Sequence, residues 1–280
     1  MINIAHTKQL AVIGHPISHS FSPQIHNFIA KKTGRNFIYT ALDVLPDDFE
    51  NVINGIRTPD FAGVNITTPY KIKALELMDV LSDKAKRYAS VNTCVNKNGK
   101  LYGYTTDADG FYRSLAVEGV DVEDKDILFI GAGGVTKPLT LMLCEKCAKS
   151  ISIHNRTISK AEEIALYVKD VTGFNVNVGI DKDHYDLVIN TTTVGMYPNV
   201  MESPLEDMSF IDERSVAIDI IYNPLKTRFL EMAEEKGAKI LNGLGMLIFQ
   251  AMIAFELFAD TKLPDIMYKD ILKDVFEIEK

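Results

Sequence analysis

Ile127-Leu128-Phe129-Ile130-Gly131-Ala132-Gly133-Gly134-Val135 decides the fold. Its apolar run predicts a buried strand, and the glycines let the chain turn at once into a helix whose free backbone N–H groups attract a diphosphate. A lone G-x-G says little. Here a second β-rich run follows about 20 residues on, Ser150 to His154, and leads into Asn155-Arg156-Thr157, the spacing at which a dinucleotide's ribose is read. The stretch therefore predicts a dinucleotide site, against the plainer reading that the glycines only permit close helix–strand packing. Thr136 takes the slot of the third glycine, a departure from the pattern, while Pro138 falls in the first helical turn, where its missing N–H costs little. An acidic residue after the second strand would bind the ribose hydroxyls of NAD. Asn155, Arg156 and Lys160 offer donors instead, which suit a 2′-phosphate and favour NADP, unless the two cations are simply solvated.

Working outward, Leu187 to Asn190, Val216 to Ile221 and Lys239 to Leu241 read as further strands of a doubly wound module. Upstream, Gln9 to Ile13, Phe37 to Val44 and Phe61 to Ile66 read as strands that alternate with helical segments, the pattern of parallel βα units. Ser22-Pro23 predicts a helix start with Ser22 as the cap, and Gly34 its stop; further helices are expected from about Pro46 to Gly55 and around Tyr70 to Leu77. Asn98-Gly99 between two β-rich runs predicts a hairpin, and a helix from Asp107 to about Glu118 leads to the charged connection Asp121 to Asp126. The expected fold is α/β in two domains. The first module carries a mainly parallel sheet and the second a Rossmann-like one, the boundary falls inside the connection Asp121 to Asp126, and the helices after Gly243 could pack on either module.

Composition agrees. A chain of 280 residues, 46% hydrophobic and 24% charged, can bury one large core or two ordinary ones. Thirty basic against 38 acidic side chains, net −8, argue against nucleic acid or anionic lipid as partners. No apolar run reaches the roughly 18 residues of a membrane span, and the first residues lack the pattern of a secretory signal, so a cytoplasmic protein is expected. Cys94, Cys144 and Cys147 are too few for a disulfide scaffold.

Gly63-Val64-Asn65-Ile66-Thr67-Thr68-Pro69-Tyr70-Lys71 ends a strand and starts a helix, which brings Asn65, Thr67 and Lys71 to the carboxyl edge of the sheet, where open α/β folds hold their ligands. Asp107, after the hairpin, can reach the same edge and orient the lysine. Beside a nicotinamide, such a pair moves the proton while the cofactor moves the hydride.

With these segments assembled, the chain resembles the shikimate dehydrogenase family over essentially its whole length. The resemblance is carried by Gly14 to Pro23 (GHPISHSFSP), Asn65 to Lys71 (NITTPYK), Val91-Asn92-Thr93, Gly103 to Asp107, Gly131 to Gly134 with Asn155-Arg156-Thr157, Asn190 to Met196 (NTTTVGM), Tyr222 to Leu225 and Gly243 to Gln250 (GLGMLIFQ). It implies reversible NADPH-dependent reduction of 3-dehydroshikimate to shikimate, a step towards chorismate and the aromatic amino acids, by a cytoplasmic monomer or homodimer. It also implies that residues 1–110 form a substrate-binding catalytic domain, that residues 111–245 form an NADP-binding domain, and that the helices of 246–280 pack back on the first. It further implies that Ser20 and Ser22 bind the substrate carboxylate and that Asn65, Thr67, Asn92, Asp107, Tyr222 and Gln250 hold the rest, with Lys71 as acid/base. For the cofactor it implies Gly131, Ala132, Gly133, Gly134 and Val135, then Asn155, Arg156, Thr157, Ile158, Ser159 and Lys160, then Ile220 and Gly243, with Asp83 as a further candidate. The sequence departs from the family pattern at Thr105 and Ala108, beside Asp107, and at Lys160, where a lysine lacks the bidentate fork of arginine.

Two rivals stay open on sequence grounds: an NAD-preferring quinate/shikimate dehydrogenase, disfavoured because no acid follows Asn155-Arg156, and a non-catalytic NADP-binding regulator, disfavoured by the presence of both Lys71 and Asp107. His15 and His19 lack an acidic neighbour in sequence and are not expected to bind metal. Cys144 and Cys147 are expected to pack in the core, as are Met246, Met252 and Phe255.

Overall fold

The computed structural model describes residues 6–278 and divides into two compact units. One comprises the chain up to Gly110 together with the segment from Ile248 onward; the other is Phe111–Leu247. In the first unit, β1 (Lys8–Gly14), α1 (Ser22–Lys32), β2 (Phe37–Asp43), α2 (Phe49–Gly55) and β3 (Phe61–Ile66) form successive βα steps. A short 3₁₀ turn (Lys73–Leu77), β4 (Val80–Leu81) and α3 (Asp83–Tyr88) precede the hairpin of β5 (Thr93–Lys97) and β6 (Lys100–Tyr104). Strand order is β2-β1-β3-β5-β6-β4, and among the described strands β5 alone runs against the rest. That reversal matters for the site. Because β5 is antiparallel, its amino end lies beside the carboxyl ends of β3 and β6, so the residues flanking all three meet at one edge.

The chain leaves the first unit within α4 (Asp107–Val117). The second unit contains β7 (Asp126–Ile130), α5 (Thr136–Glu145), β8 (Ser150–His154), α6 (Ile158–Thr172) and β9 (Asn177–Val178), then β10 (Leu187–Asn190), β11 (Val216–Asp219), α7 (Arg228–Glu235) and β12 (Lys239–Leu241). Its strands are all parallel in the order β12-β11-β10-β7-β8-β9, so the winding reverses between β7 and β10, the switch point where such sheets bind ligands. The last helices are α8 (Leu244–Ala259) and α9 (Ile266–Phe276). From Ile248 they belong to the first unit: the Phe276 ring lies tilted against Phe21 beside α1, with centroids 5.3 Å apart, and Lys32 pairs with Asp270 at 3.2 Å.

Several local expectations change. Ser22 is the first helical residue of α1, not its cap; its hydroxyl is drawn to the Tyr39 phenol instead of to the helix end. The helix expected around Tyr70 to Leu77 shrinks to the 3₁₀ turn because Met78 returns to extended backbone and Asp79 N–H joins the sheet edge at Leu101. Cys147 does not pack in the core: it lies exposed at φ +61° in the turn that closes α5, and Cys144 is half-buried. His15 does have an acidic neighbour, since Asp43 Oδ1 lies 2.7 Å from its Nδ1. Among the described residues no three His, Cys, Asp or Glu side chains gather into a metal site, and no helix is long and apolar enough to cross a membrane.

Candidate active site

Lys71 follows β3 in a turn fixed on both sides: Tyr70 N–H donates to Thr67 O, and Val91 N–H donates to Lys71 O. Its Nζ lies 2.7 Å from Asp107 Oδ2, with the lysine side chain 26% exposed and the aspartate 8%. Asp107 opens α4, and its second oxygen accepts from Asn92 Nδ2 at 2.9 Å. Asn92, just ahead of β5, is held in turn: its Oδ1 accepts from Thr106 N–H at 2.9 Å and from Thr93 Oγ1 at 3.0 Å. Asn65 Nδ2 donates to Thr93 Oγ1 at 3.0 Å and to Asn92 O at 3.1 Å, while its Oδ1 accepts from Tyr39 OH at 2.8 Å. An unbroken chain of hydrogen bonds thus runs from β2 to the ammonium of Lys71. With each amide bonded through both its oxygen and its nitrogen, neither can flip without breaking two or more bonds.

Around this chain, Ser22 is buried and hydrogen-bonds Tyr39, Ser20 Oγ accepts from Ser22 N–H at 3.2 Å, and Thr67 is half-buried against Gly14. Gln250 on α8 sits against the first turns of α4; a Cβ on Gly110 would meet its backbone nitrogen at 2.5 Å. Tyr39, Thr93, Thr106 and Gly110 are components the sequence reading missed. A polar residue on a strand carries no periodic signal; only its burial beside another polar group marks it. Thr105, flagged as unusual, has a buried hydroxyl without a partner among the described residues.

In the second unit the glycine turn has the conformation its sequence predicts. Gly131 adopts φ +110°, and a Cβ there would lie 2.8 Å from both Thr191 Oγ1 and Thr192 Cγ2. Gly131 N–H is tied to His154 O at 2.8 Å, and Ala132 N–H to Asn155 Oδ1 at 3.1 Å, which joins the ends of β7 and β8. Thr136, in place of a third glycine, is fully buried and bonds Gly131 O at 3.1 Å and Thr191 Oγ1 at 2.8 Å. Arg156, Thr157, Ile158, Ser159 and Lys160 are all exposed where α6 begins, so two cations and a helix's free N–H groups share one end. Gly133, Gly134 and Val135 complete the turn. Ile220 and the half-buried Tyr222 lie beyond β11, and Gly243 needs its missing side chain because Ile220 O occupies the space of a Cβ. Burial pushes the Tyr222 phenol up from its ordinary value. Asp83 belongs to the first unit, exposed in the first turn of α3.

The family model described as "Shikimate dehydrogenase substrate binding domain" matches residues 12–94, and that described as "Shikimate / quinate 5-dehydrogenase" matches residues 114–222. The chain is 39% identical over 268 residues to a shikimate dehydrogenase (NADP+) of Alkaliphilus oremlandii, covering 92% of this chain and 93% of that protein. It belongs to the shikimate dehydrogenase family. Among solved structures, a shikimate dehydrogenase in complex with NADP+ is 37% identical with a TM-score of 0.91, covering 100% of this chain and 98% of that one. The Thermus thermophilus shikimate 5-dehydrogenase, solved with NADP(H) and shikimate, is 32% identical with a TM-score of 0.87, covering 96% and 99%. Family membership accounts for the mixed first sheet, the doubly wound second sheet and the motifs at their carboxyl edges.

Proposed function

We propose that this protein is an NADP-dependent shikimate dehydrogenase, which reversibly reduces 3-dehydroshikimate to shikimate on the route to chorismate and the aromatic amino acids. It works as a cytoplasmic monomer or homodimer on a small-molecule substrate, with no nucleic acid or membrane as partner. The observation that carries the reading is the 2.7 Å pair of Lys71 and Asp107, held by Asn92 in a chain of the shikimate dehydrogenase family.

The glycine turn fits the cofactor: a backbone cradle that a Cβ would fill, an α5 start behind it, and cations at Arg156 and Lys160 for a 2′-phosphate. Gly131 to Val135, Asn155 to Lys160, Ile220 and Gly243 would hold it. When bound, NADPH supplies the hydride. Lys71 then gives its proton to the oxygen of the substrate ketone as that oxygen gains charge, and in the reverse direction neutral Lys71 takes it back. Asp107 aims the ammonium and compensates its charge; Asn92 fixes the carboxylate by its other oxygen. Ser20 and Ser22 supply hydroxyl donors for the substrate carboxylate, while Asn65, Thr67, Asn92, Tyr222 and Gln250 bind ring hydroxyls and reject analogues that lack them.

Spectrophotometric NADPH oxidation with 3-dehydroshikimate tests this directly. Initial rates with NADP and NAD, each on shikimate and on quinate, should be highest for NADP with shikimate. No NADPH oxidation with 3-dehydroshikimate would overturn the assignment.

A further inference from the structure

Asp219 ends β11 and is fully buried, in register with Asn190 at the end of β10, so two polar residues close adjacent strands at the carboxyl edge of the second sheet. The groups bonded to the Asp219 carboxylate are neutral donors. Oδ2 accepts from Thr227 Oγ1 at 2.7 Å and from Asn190 Nδ2 at 3.1 Å, and Oδ1 accepts from Ile221 N–H at 3.0 Å. Burial pushes the carboxyl up from its ordinary value, partly offset by these bonds. Three donors converging on two oxygens call for a group that accepts on both sides, which a carboxylate does and an amide does not. Burying an acid without a cation is costly, so a strand end that only had to fold would be expected to be apolar.

Two of the three donors lead to segments that the cofactor reading uses. Asn190 Oδ1 accepts from the N–H and hydroxyl of Thr192 at 3.0 and 2.8 Å, shaping the turn whose Thr191 hydroxyl meets Thr136 beneath Gly131. Ile221 N–H fixes the backbone between Ile220 and Tyr222; Ile220 N–H returns to Asn190 O at 3.1 Å, and Gly243 N–H closes on Ile221 O at 2.9 Å. Thr227 caps α7 through Leu230 N–H.

We infer that Asp219 is a positioning residue for the dinucleotide site: one buried carboxylate sets the Asn190–Thr192 turn and the Ile220–Tyr222 segment in a single arrangement. The inference deepens the proposed function and rests on it. It is tested by NADP+ binding in calorimetry, which needs no turnover, alongside steady-state kinetics and thermal melting. Asp219→Asn should weaken NADP+ binding by about tenfold or more, the scale of a lost hydrogen bond to a charged group, and lower kcat/KM for 3-dehydroshikimate while the folded protein keeps its circular dichroism. Thr227→Val removes one donor and should weaken binding a few-fold; Thr227→Ser keeps the hydroxyl and should restore it. A folded Asp219→Asn with wild-type NADP+ affinity and kcat/KM, differing only in melting temperature, overturns the inference. If Asp219→Asn does not fold, wild-type NADP+ affinity in Thr227→Val overturns it instead. Wild-type protein that binds NADP+ but leaves 3-dehydroshikimate unreduced breaks the assigned reaction alone, and the binding comparison still decides the role of Asp219.

Discussion

The carboxyl edges of the two sheets present opposite kinds of chemistry. In the first unit, the polar groups are side chains bonded to one another from Tyr39 through Asn65, Thr93 and Asn92 to Asp107 and Lys71, nearly all of them buried. In the second, the glycine turn and the start of α6 offer backbone N–H donors and exposed cations, and side-chain bonds hold the sheet edge in Thr136–Thr191 and around Asp219. Proton transfer requires one atom held in one place, so the first unit spends burial on orientation. A diphosphate needs close approach and positive potential, which a glycine turn and a helix end provide without any particular side chain.

The contrast should be broken most severely by removing the proposed proton donor. Lys71→Ala should lower kcat by about 10²- to 10⁴-fold or more, with NADPH affinity nearly unchanged because no cofactor group is lost. If turnover survives at the wild-type level, Lys71 has no part in the reaction. Gly131→Ala makes the reciprocal break. Its φ of +110° is strained for any L side chain, and its Cβ would collide with Thr191 and Thr192. NADPH KM should rise by about tenfold or more, with a smaller change in kcat, and calorimetry on the same variant would separate lost affinity from lost stability. Equal effects of the two substitutions on both constants would mean that the two edges do not divide the labour.

How far the sequence exposes each edge follows from the same difference. The second unit was legible because glycine marks backbone geometry in the sequence itself; strands Ser150 to His154, Leu187 to Asn190 and Lys239 to Leu241 fall where their apolar runs predict. In the first unit, the strand-to-helix pattern placed Asn65, Lys71 and Asp107 at one sheet edge and motif resemblance added Asn92, and the structure brings the four together. Tyr39 and Thr93 were not legible, because their roles arise from strand pairing between segments far apart in the chain. Short elements escaped for a related reason: β4 has two residues and no period, and it exists because it pairs with β6. Helix α7 was also missed, although Thr227 before it carries the cap signal. The pairing of His15 with Asp43 depends on adjacent parallel strands ending together, which a spacing rule along one segment does not contain.

The buried side of the first unit gives a sharper test of how rigidly it is held. His26 stacks on Tyr39 at 4.1 Å, Phe255 and Phe258 lie beyond it, and neither ring nitrogen has a partner among the described residues. Burial lowers its pKa from 6.5 to about 3. The folded state therefore keeps the ring neutral while the unfolded chain takes up a proton below pH 6.5, so its contribution is intact above that pH and is lost as pH falls towards 3. The loss approaches about 1.4 kcal/mol per pH unit in that window. Urea unfolding at several pH values should show a shallower slope for His26→Phe than for wild type; parallel slopes would mean that the ring is hydrated or paired in solution.

The smallest expected effect sharpens the other side of the comparison. Arg156 and Lys160 are exposed, so in the proposed cofactor site each would contribute to a 2′-phosphate only what an ion pair in water allows, on the order of 1 kcal/mol or somewhat more. Arg156→Ala should raise KM for NADPH about five- to tenfold and leave KM for NADH nearly unchanged. Lys160→Arg should do the reverse, tightening NADPH by about two- to threefold, because a planar guanidinium can meet two phosphate oxygens where an ammonium meets one. The ratio of the two KM values isolates the phosphate from every contact that both cofactors share. If both variants move NADPH and NADH together, the cations act through the general potential at the start of α6, and the preference for NADP must come from the backbone around Asn155.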